Sequence, residues 1–152
     1  MGELIIARNR RALHDYEILE HYEAGLVLTG EEIKAVRAKK VNLSGSYGRL
    51  QYPQGGGDPE AVVLNLHIGA GTNPTQTRKL LLHREEINRL IGKLEEKRLT
   101  LIPLRLYLSR GLAKLELGLG KGRQLYSKKD RKKRKDLERD IQRELRGKTD
   151  RE

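Results

Sequence analysis

Between His14 and Leu28 the chain reads HDYEILEHYEAGLVL, and its apolar and polar positions trade places along the segment. Tyr16, Ile18, Tyr22, Ala24, Leu26 and Leu28 fall on one side, while Glu17, His21 and Glu23 fall on the other. A period of two marks a strand with one face in a core and one in water, so a long strand bent at Gly25 is expected here. The pattern then changes. Thr29 and Glu32 stand three apart as a capping box requires, and Ile33 and Val36 share a face behind them, which predicts a short helix ending in Lys39 and Lys40. SYGRLQYP and AVVLNLHI predict a pair of strands joined by the turn QGGGDPE, and GAGTNPTQ predicts a second loop.

RKLLLH, residues 78 to 83, does not alternate. An apolar triplet in a strand is expected where both faces are covered, and a covering element follows at once. From Arg84 to Lys97, Ile87, Leu90, Ile91 and Leu94 recur at helical spacing, with Glu85 and Glu86 in the first turn and Lys93, Lys97 and Arg98 near the end. LTLIPLRLYL and LAKLELGLG then alternate as a hairpin about SRG. These elements predict a mainly β (α+β) domain over residues 1–126, a small antiparallel closed barrel of about six strands with two or three flanking helices. Residues 127–152 have only Leu137, Ile141 and Leu145 as aliphatic positions. That stripe is too narrow to order about twenty residues in isolation, so this C-terminal tail is expected to be disordered when free and helical when docked.

Charge narrows the class of partner. The 152 residues carry 32 Lys and Arg against 21 Asp and Glu, net +11, which favours a polyanion. The excess is uneven, since residues 121–152 hold 14 basic and 7 acidic side chains and leave 18 and 14 for the rest. A nearly balanced body carries a basic tail. With neither Trp nor Phe, no segment shows the face that anchors a helix in a membrane surface, so nucleic acid leads and no membrane partner is expected. The N-terminal apolar run, Leu4 to Ile6, is far too short for a signal peptide or a membrane span, and there is no Cys for disulfides or thiolate metal sites. A soluble, cytoplasmic monomer is the expectation.

Catalytic chemistry is sparse. His14, His21, His67 and His83 show no HExxH spacing and no carboxylate cluster completes a metal set, so structural or RNA-contacting roles are the better reading. GLGKG, Gly118 to Gly122, lacks the GxxxxGK(S/T) spacing of a phosphate loop and follows a hairpin rather than a parallel strand. No Ser, His and acid set suggests a nucleophile. Neither an enzyme nor a cofactor is expected. NRRALHDY gathers two arginines, an imidazole and a phenol, which can touch phosphates and stack on bases. A solvated N-terminal turn with Tyr16 in the core fits the same spacing. Glu23 can accept from base or ribose groups or be an ordinary exposed strand carboxylate, and Tyr47 in SGSYG can be core or stacker. In KKDRKKRK, next to Tyr126, the cations Lys128, Lys129, Arg131, Lys132, Lys133 and Arg134 suit a groove walled by phosphates, with release of its counterions.

In order, NRRALHDYEI, EAGLVLTGEEIKAVRAKKVNLSGSY, LHI, RKLLLHREEINRLIGKLEEKRLTLIPLRLYL and AKLELGLGKGRQLY, followed by a basic tail, resemble the small protein B (SmpB) family from about Asn9 to Arg143. That family is the partner of transfer-messenger RNA. The resemblance implies an oligonucleotide-binding (OB-type) barrel that holds the tRNA-like domain of this RNA and has no enzymatic activity. It also implies entry to the empty A site of a stalled ribosome with elongation factor Tu, the tail lying in the vacant mRNA channel. By motif position it implies an RNA-binding surface of Tyr16, Glu23, Leu81 and Lys114, with Tyr47 a weaker member and Arg78 and Lys79 held at the RNA-facing rim. Ribosome contacts are implied for His14, near the decoding region, and for Tyr126, Lys128, Lys129 and the cations that follow. Where the family commonly has Asp-Lys-Arg, this chain has Ser127-Lys128-Lys129. The alternative from another class is a structural ribosomal protein with a small barrel and a basic rRNA-binding tail.

Overall fold

The computed structural model of the chain describes residues 3–96 and 98–123, with Glu96 by its backbone alone. In this span the order is β1 (Leu4–Arg8), α1 (Arg10–Asp15), β2 (Tyr16–Leu26), α2 (Gly30–Arg37), β3 (Val41–Asn42), β4 (Tyr47–Gln51), β5 (Glu60–Leu64), β6 (His67–Ile68), β7 (Arg78–Leu81), α3 (Arg84–Glu96), β8 (Thr100–Ser109) and β9 (Leu112–Gly122). Strands β8, β4, β5, β7, β2 and β9 neighbour one another in that order, and β9 also pairs with β8, so six strands close into a ring. Closure removes the open edges that a sheet of this size would otherwise expose.

The β8–β9 hairpin is the longest ladder, running from Thr100↔Gly120 to Ser109↔Leu112. Its two-residue turn, Arg110-Gly111, has both φ angles positive (53° and 78°), as a type I′ turn demands. A bulge between Pro103 and Arg105 interrupts the ladder. The carbonyl of Leu104, in the bulge, accepts from the Asn9 amide at 2.8 Å. On the edge of β8 away from β9, Leu101 pairs with β4 and Arg105 to Leu108 pair with β1.

Alternate residues point inward and form one core. Tyr22, Ala24 and Leu26 of β2, Ala61 and Val63 of β5, Leu80 of β7, Leu101 and Leu106 of β8, and Leu115, Leu117 and Leu119 of β9 are all buried in it. Helix α2 adds Ala35 and Val36 and helix α3 adds Leu90. The two helices lie at opposite ends of β7. Arg78, which begins that strand, bonds Glu32 of α2, whereas α3 starts three residues after Leu81, where the strand ends. The capping box is present as expected: the Thr29 hydroxyl accepts from the Glu32 amide at 3.2 Å and the Glu32 carboxylate accepts from the Thr29 amide at 3.0 Å.

Several expectations need correction. His14 and Asp15 do not begin β2; they end helix α1, which the sequence pattern did not predict, nor did it predict β1. The strand read through AVVLNLHI breaks at Asn65, whose φ of 59° turns the chain so that His67 and Ile68 pair with β3 in a separate two-stranded sheet. The leucine triplet is not buried on both faces. In β7 Arg78 and Leu80 are buried while Lys79 and Leu81 are exposed, because α3 covers the barrel end beyond the strand and leaves its outer face open. The tail from 124 onward, with its predicted helix, lies outside the described residues.

Candidate nucleic-acid interface

The side-chain period of two lets the ladder register decide which residues share the outer wall of the barrel. Val63 and Ala61 face the core and oppose Gly48 and Leu50 of β4. Tyr47, Arg49 and Gln51 therefore face outward, opposite Leu64, Val62 and Glu60. Val62 in turn opposes Lys79 of β7, and Leu81 opposes Gly25 of β2. The Leu81 side chain rests over Gly25, where a Cβ would lie 3.4 Å from it. His21 and Glu23 continue the outer face of β2 and reach Glu116 and Lys114 of β9. The neighbouring strands β7, β2 and β9 thus bring Lys79, Leu81, Glu23 and Lys114 onto a shared surface, while Tyr47 and Arg49 on β4 face outward three strands from β2 round the ring, Tyr47 beside Leu94 and Leu99. Leu81, 56% exposed, is among the most exposed large apolar side chains described.

Around Glu23 the wall is a hydrogen-bonded cluster. One carboxylate oxygen accepts from the Lys114 ammonium at 2.8 Å and the other from the Tyr107 hydroxyl. The ammonium first, and the phenol second, hold the Glu23 carboxyl below its ordinary value. Burial pushes the Tyr107 phenol up, and its bond to Glu23 adds to this. The Arg105 guanidinium lies 4.6 Å above the Tyr107 ring and is itself held by Glu116 and Glu3. His21 Nδ1 lies 3.2 Å from the other Glu116 oxygen. Every charge in this patch meets an opposite one, so the patch offers shape and hydrogen-bonding groups more than a bare field.

Beside Leu81 runs a cleft of about 340 Å³ lined by Asp58, Glu60, Lys79, Leu81, Arg84 and Ile87. Lys79 lies 3.4 Å from Glu60, and Arg84 pairs with Asp58. Arg78 behaves otherwise. It is 3% exposed, and its guanidinium bonds Glu32 and the carbonyls of Leu66 (2.6 Å) and Pro74 (2.9 Å). The expectation that Arg78 stands at an RNA-facing rim is therefore corrected: as the inward member of the alternation, it has its donors committed inside the protein.

In NRRALHDY, Asn9 has the structural role. Buried, it caps α1 by accepting from the Ala12 amide (3.2 Å) and donates to the Pro103 carbonyl (2.9 Å). His14 is exposed on the last turn of α1. Tyr16 is half-buried, with its Cβ against Gly120, so it lies away from the Glu23 cluster. Gly118 and Gly120 are strand residues of β9, and a Cβ on Gly118 would come within 2.9 Å of both Ile18 and Leu104. That packing accounts for Gly118 and Gly120 of GLGKG, whereas a Cβ on Gly122 would meet open space among the described residues. Sequence reasoning missed Tyr107 and Arg105. Alternation in LTLIPLRLYL pairs Arg105 with Tyr107, but only the register shows that they face Glu23. Tyr126, Lys128, Lys129, Arg131, Lys132, Lys133 and Arg134 lie outside the described residues. Among the described residues no three His, Asp or Glu side chains gather as a metal site would need.

Residues 6–147 match the family model described as SmpB protein. The chain is 47% identical to the SsrA-binding protein of Nostoc punctiforme, over 95% of this chain and 94% of that one. It is 48% identical to the SsrA-binding protein of a Roseiflexus species, over 97% and 94%. Among solved structures it is similar to a chain described under "tmRNA-SmpB: a journey to the center of the bacterial ribosome", with a TM-score of 0.63 and 46% identity over 80% of this chain and 87% of that one.

Proposed function

The chain belongs to the SmpB protein family, and from that premise we propose that it is an RNA-binding factor of trans-translation, holding the tRNA-like domain of transfer-messenger RNA and acting with it on stalled ribosomes. The observation that carries this reading is the composition of the wall. An acceptor (Glu23), an exposed apolar side chain (Leu81) and cations (Lys79, Lys114) share one surface across the adjacent strands β7, β2 and β9. Cations alone would bind any polyanion, whereas an acceptor and flat or apolar faces engage ribose and unstacked bases. Tyr16, Tyr47, Glu23, Lys79, Leu81 and Lys114 are the RNA-contacting residues on this reading, with Arg78 supporting them from within.

His14, exposed on α1, is the contact to the ribosomal decoding region. The tail from Tyr126 through Arg134 enters the empty mRNA channel, an assignment supported by the family resemblance and the tail's charge. Delivery with elongation factor Tu, a monomeric state, a cytoplasmic setting, and the absence of a catalytic step or cofactor belong to the same proposal. Among the described residues no helix is long and apolar enough to cross a membrane.

The test is a binding titration of the tRNA-like domain against an ordinary tRNA of similar length at several salt concentrations. Selective binding that persists as salt rises is the expected result. Equal, steeply salt-sensitive binding to both would overturn the reading and favour a structural ribosomal protein. Truncation after Tyr126 should leave this affinity nearly intact and abolish tagging of stalled chains.

A further inference from the structure

Glu23 is half exposed, yet its carboxylate is held at both oxygens, by Lys114 on one side and Tyr107 on the other. The two donors differ in kind. Lys114 offers a flexible, partly exposed chain. Tyr107 offers a ring that is 1% exposed, lies under the Arg105 guanidinium, and is fixed further because Arg105 bonds Glu116 and Glu3. A buried aromatic with only two side-chain torsions sets a direction that a lysine cannot. The carboxylate so held is an acceptor only. It repels phosphate, and its remaining lone pairs suit a base N–H or a ribose hydroxyl.

We propose that Tyr107 is a positioning residue for RNA recognition: its buried hydroxyl fixes the Glu23 carboxylate so that the open lone pairs meet a base or ribose donor, which sets selectivity over generic phosphate binding. Tyr107 itself does not touch RNA. Holding the acceptor in place beforehand removes the ordering cost of binding. The inference rests on the reading of the wall as an RNA-binding face.

The test uses the full chain and three variants, Tyr107→Phe, Glu23→Gln and the double, titrated with the tRNA-like domain and with ordinary tRNA at several salt concentrations. Tyr107→Phe keeps the ring and removes only the hydroxyl. Each single variant should lose about tenfold in affinity for the tRNA-like domain, the size expected for a lost hydrogen bond to a charged group. The dependence on salt should stay as it was, since no phosphate contact is removed. The double should bind no more weakly than Glu23→Gln alone. A carbon-13 NMR titration of the RNA-free Tyr107→Phe protein should show the Glu23 carboxyl pKa moved up toward its ordinary value, which a ring that merely fills space would not cause. In the unsubstituted protein the Tyr107 hydroxyl proton should exchange slowly with and without RNA, and its loss on RNA binding would overturn the proposal even if the variant failed to fold. Wild-type affinity in Tyr107→Phe beside a loss in Glu23→Gln, or additive losses in the double, would refute the positioning role alone. Wild-type affinity in Glu23→Gln would remove the RNA-face reading and this proposal with it.

Discussion

Glu32 of α2 and Glu23 of β2 each bind a basic side chain from an element distant in sequence, and the fold uses them in opposite ways. At the α2 end of the barrel, one Glu32 oxygen accepts from the Thr29 amide while the other accepts from Arg78 and from Gln76 at 3.1 Å. Arg78 spends its other donors on the carbonyls of Leu66 and Pro74. Both side chains are at most 5% exposed. On the wall, Glu23 has two donors but stays 53% exposed, with lone pairs open to solvent. A buried charge survives only when fully paired, so the first network is committed to the fold. An exposed pair contributes little to stability, which leaves the geometry of the second free to serve a ligand.

The largest expected effect tests the buried side. Glu32→Ala strands the Arg78 guanidinium in the interior and should cost about 3–5 kcal/mol, read as a lower urea midpoint at unchanged slope. Replacing both partners, Glu32→Leu with Arg78→Met, should cost less than Glu32→Ala alone, because no orphaned charge remains. A Glu32→Ala protein with a wild-type midpoint would abolish the distinction drawn between the two sites.

The wall itself divides, and the next effect marks the boundary. Where Ile18 and Leu104 lie on Gly118, an added methyl group meets carbon at 2.9 Å. Gly118→Ala should therefore cost about 1–3 kcal/mol by overpacking. An equally stable variant would mean that this half of the wall gives way easily and is as open to ligands as the Glu23 half.

A smaller effect comes with pH. Burial raises the Glu32 carboxyl, but the Thr29 amide, Arg78 and Gln76 outweigh it and leave the folded value below the ordinary 4.5. A depressed folded pKa stabilises the protein fully above the unfolded pKa and loses that contribution as pH falls through the folded one. Stability should therefore decline below about pH 4.5, and Glu32→Gln should flatten that decline when unfolding is followed across the acid range. A parallel decline in the variant would assign the acid limb to other carboxylates.

The contrast between the two sites was only half legible in the sequence. Alternation in HYEAGL put Glu23 outside and Tyr22 and Ala24 inside, and the structure agrees, because strand parity is a local property. The capping box announced the bond between Glu32 and Thr29 for the same reason. Arg78 could not be read this way. Its inward orientation follows from its opposition to Val63, and its tolerance of burial follows from Glu32, Leu66 and Pro74, all distant in sequence. Three leucines in a row also obscured the parity of β7, since the one that faces outward has the same side chain as the one that faces the core. Tyr107 was hidden likewise: a tyrosine in a strand reads as core until the register brings its hydroxyl to Glu23.

The smallest expected effect completes the comparison from the exposed side. Glu23→Gln removes the charge that Lys114 addresses but keeps an amide oxygen to accept from the buried Tyr107 hydroxyl, so it should change the stability of the RNA-free protein by no more than about 1 kcal/mol. The ammonium is partly exposed and returns to water, and the pair was already weakened by solvent and screened by salt. The same variant should bind the tRNA-like domain distinctly more weakly, so one substitution separates folding from recognition. Urea unfolding beside a binding titration measures both. A stability loss near that of Glu32→Ala, with RNA affinity kept, would make Glu23 a second structural charge and leave recognition to Leu81 and the cations of the wall.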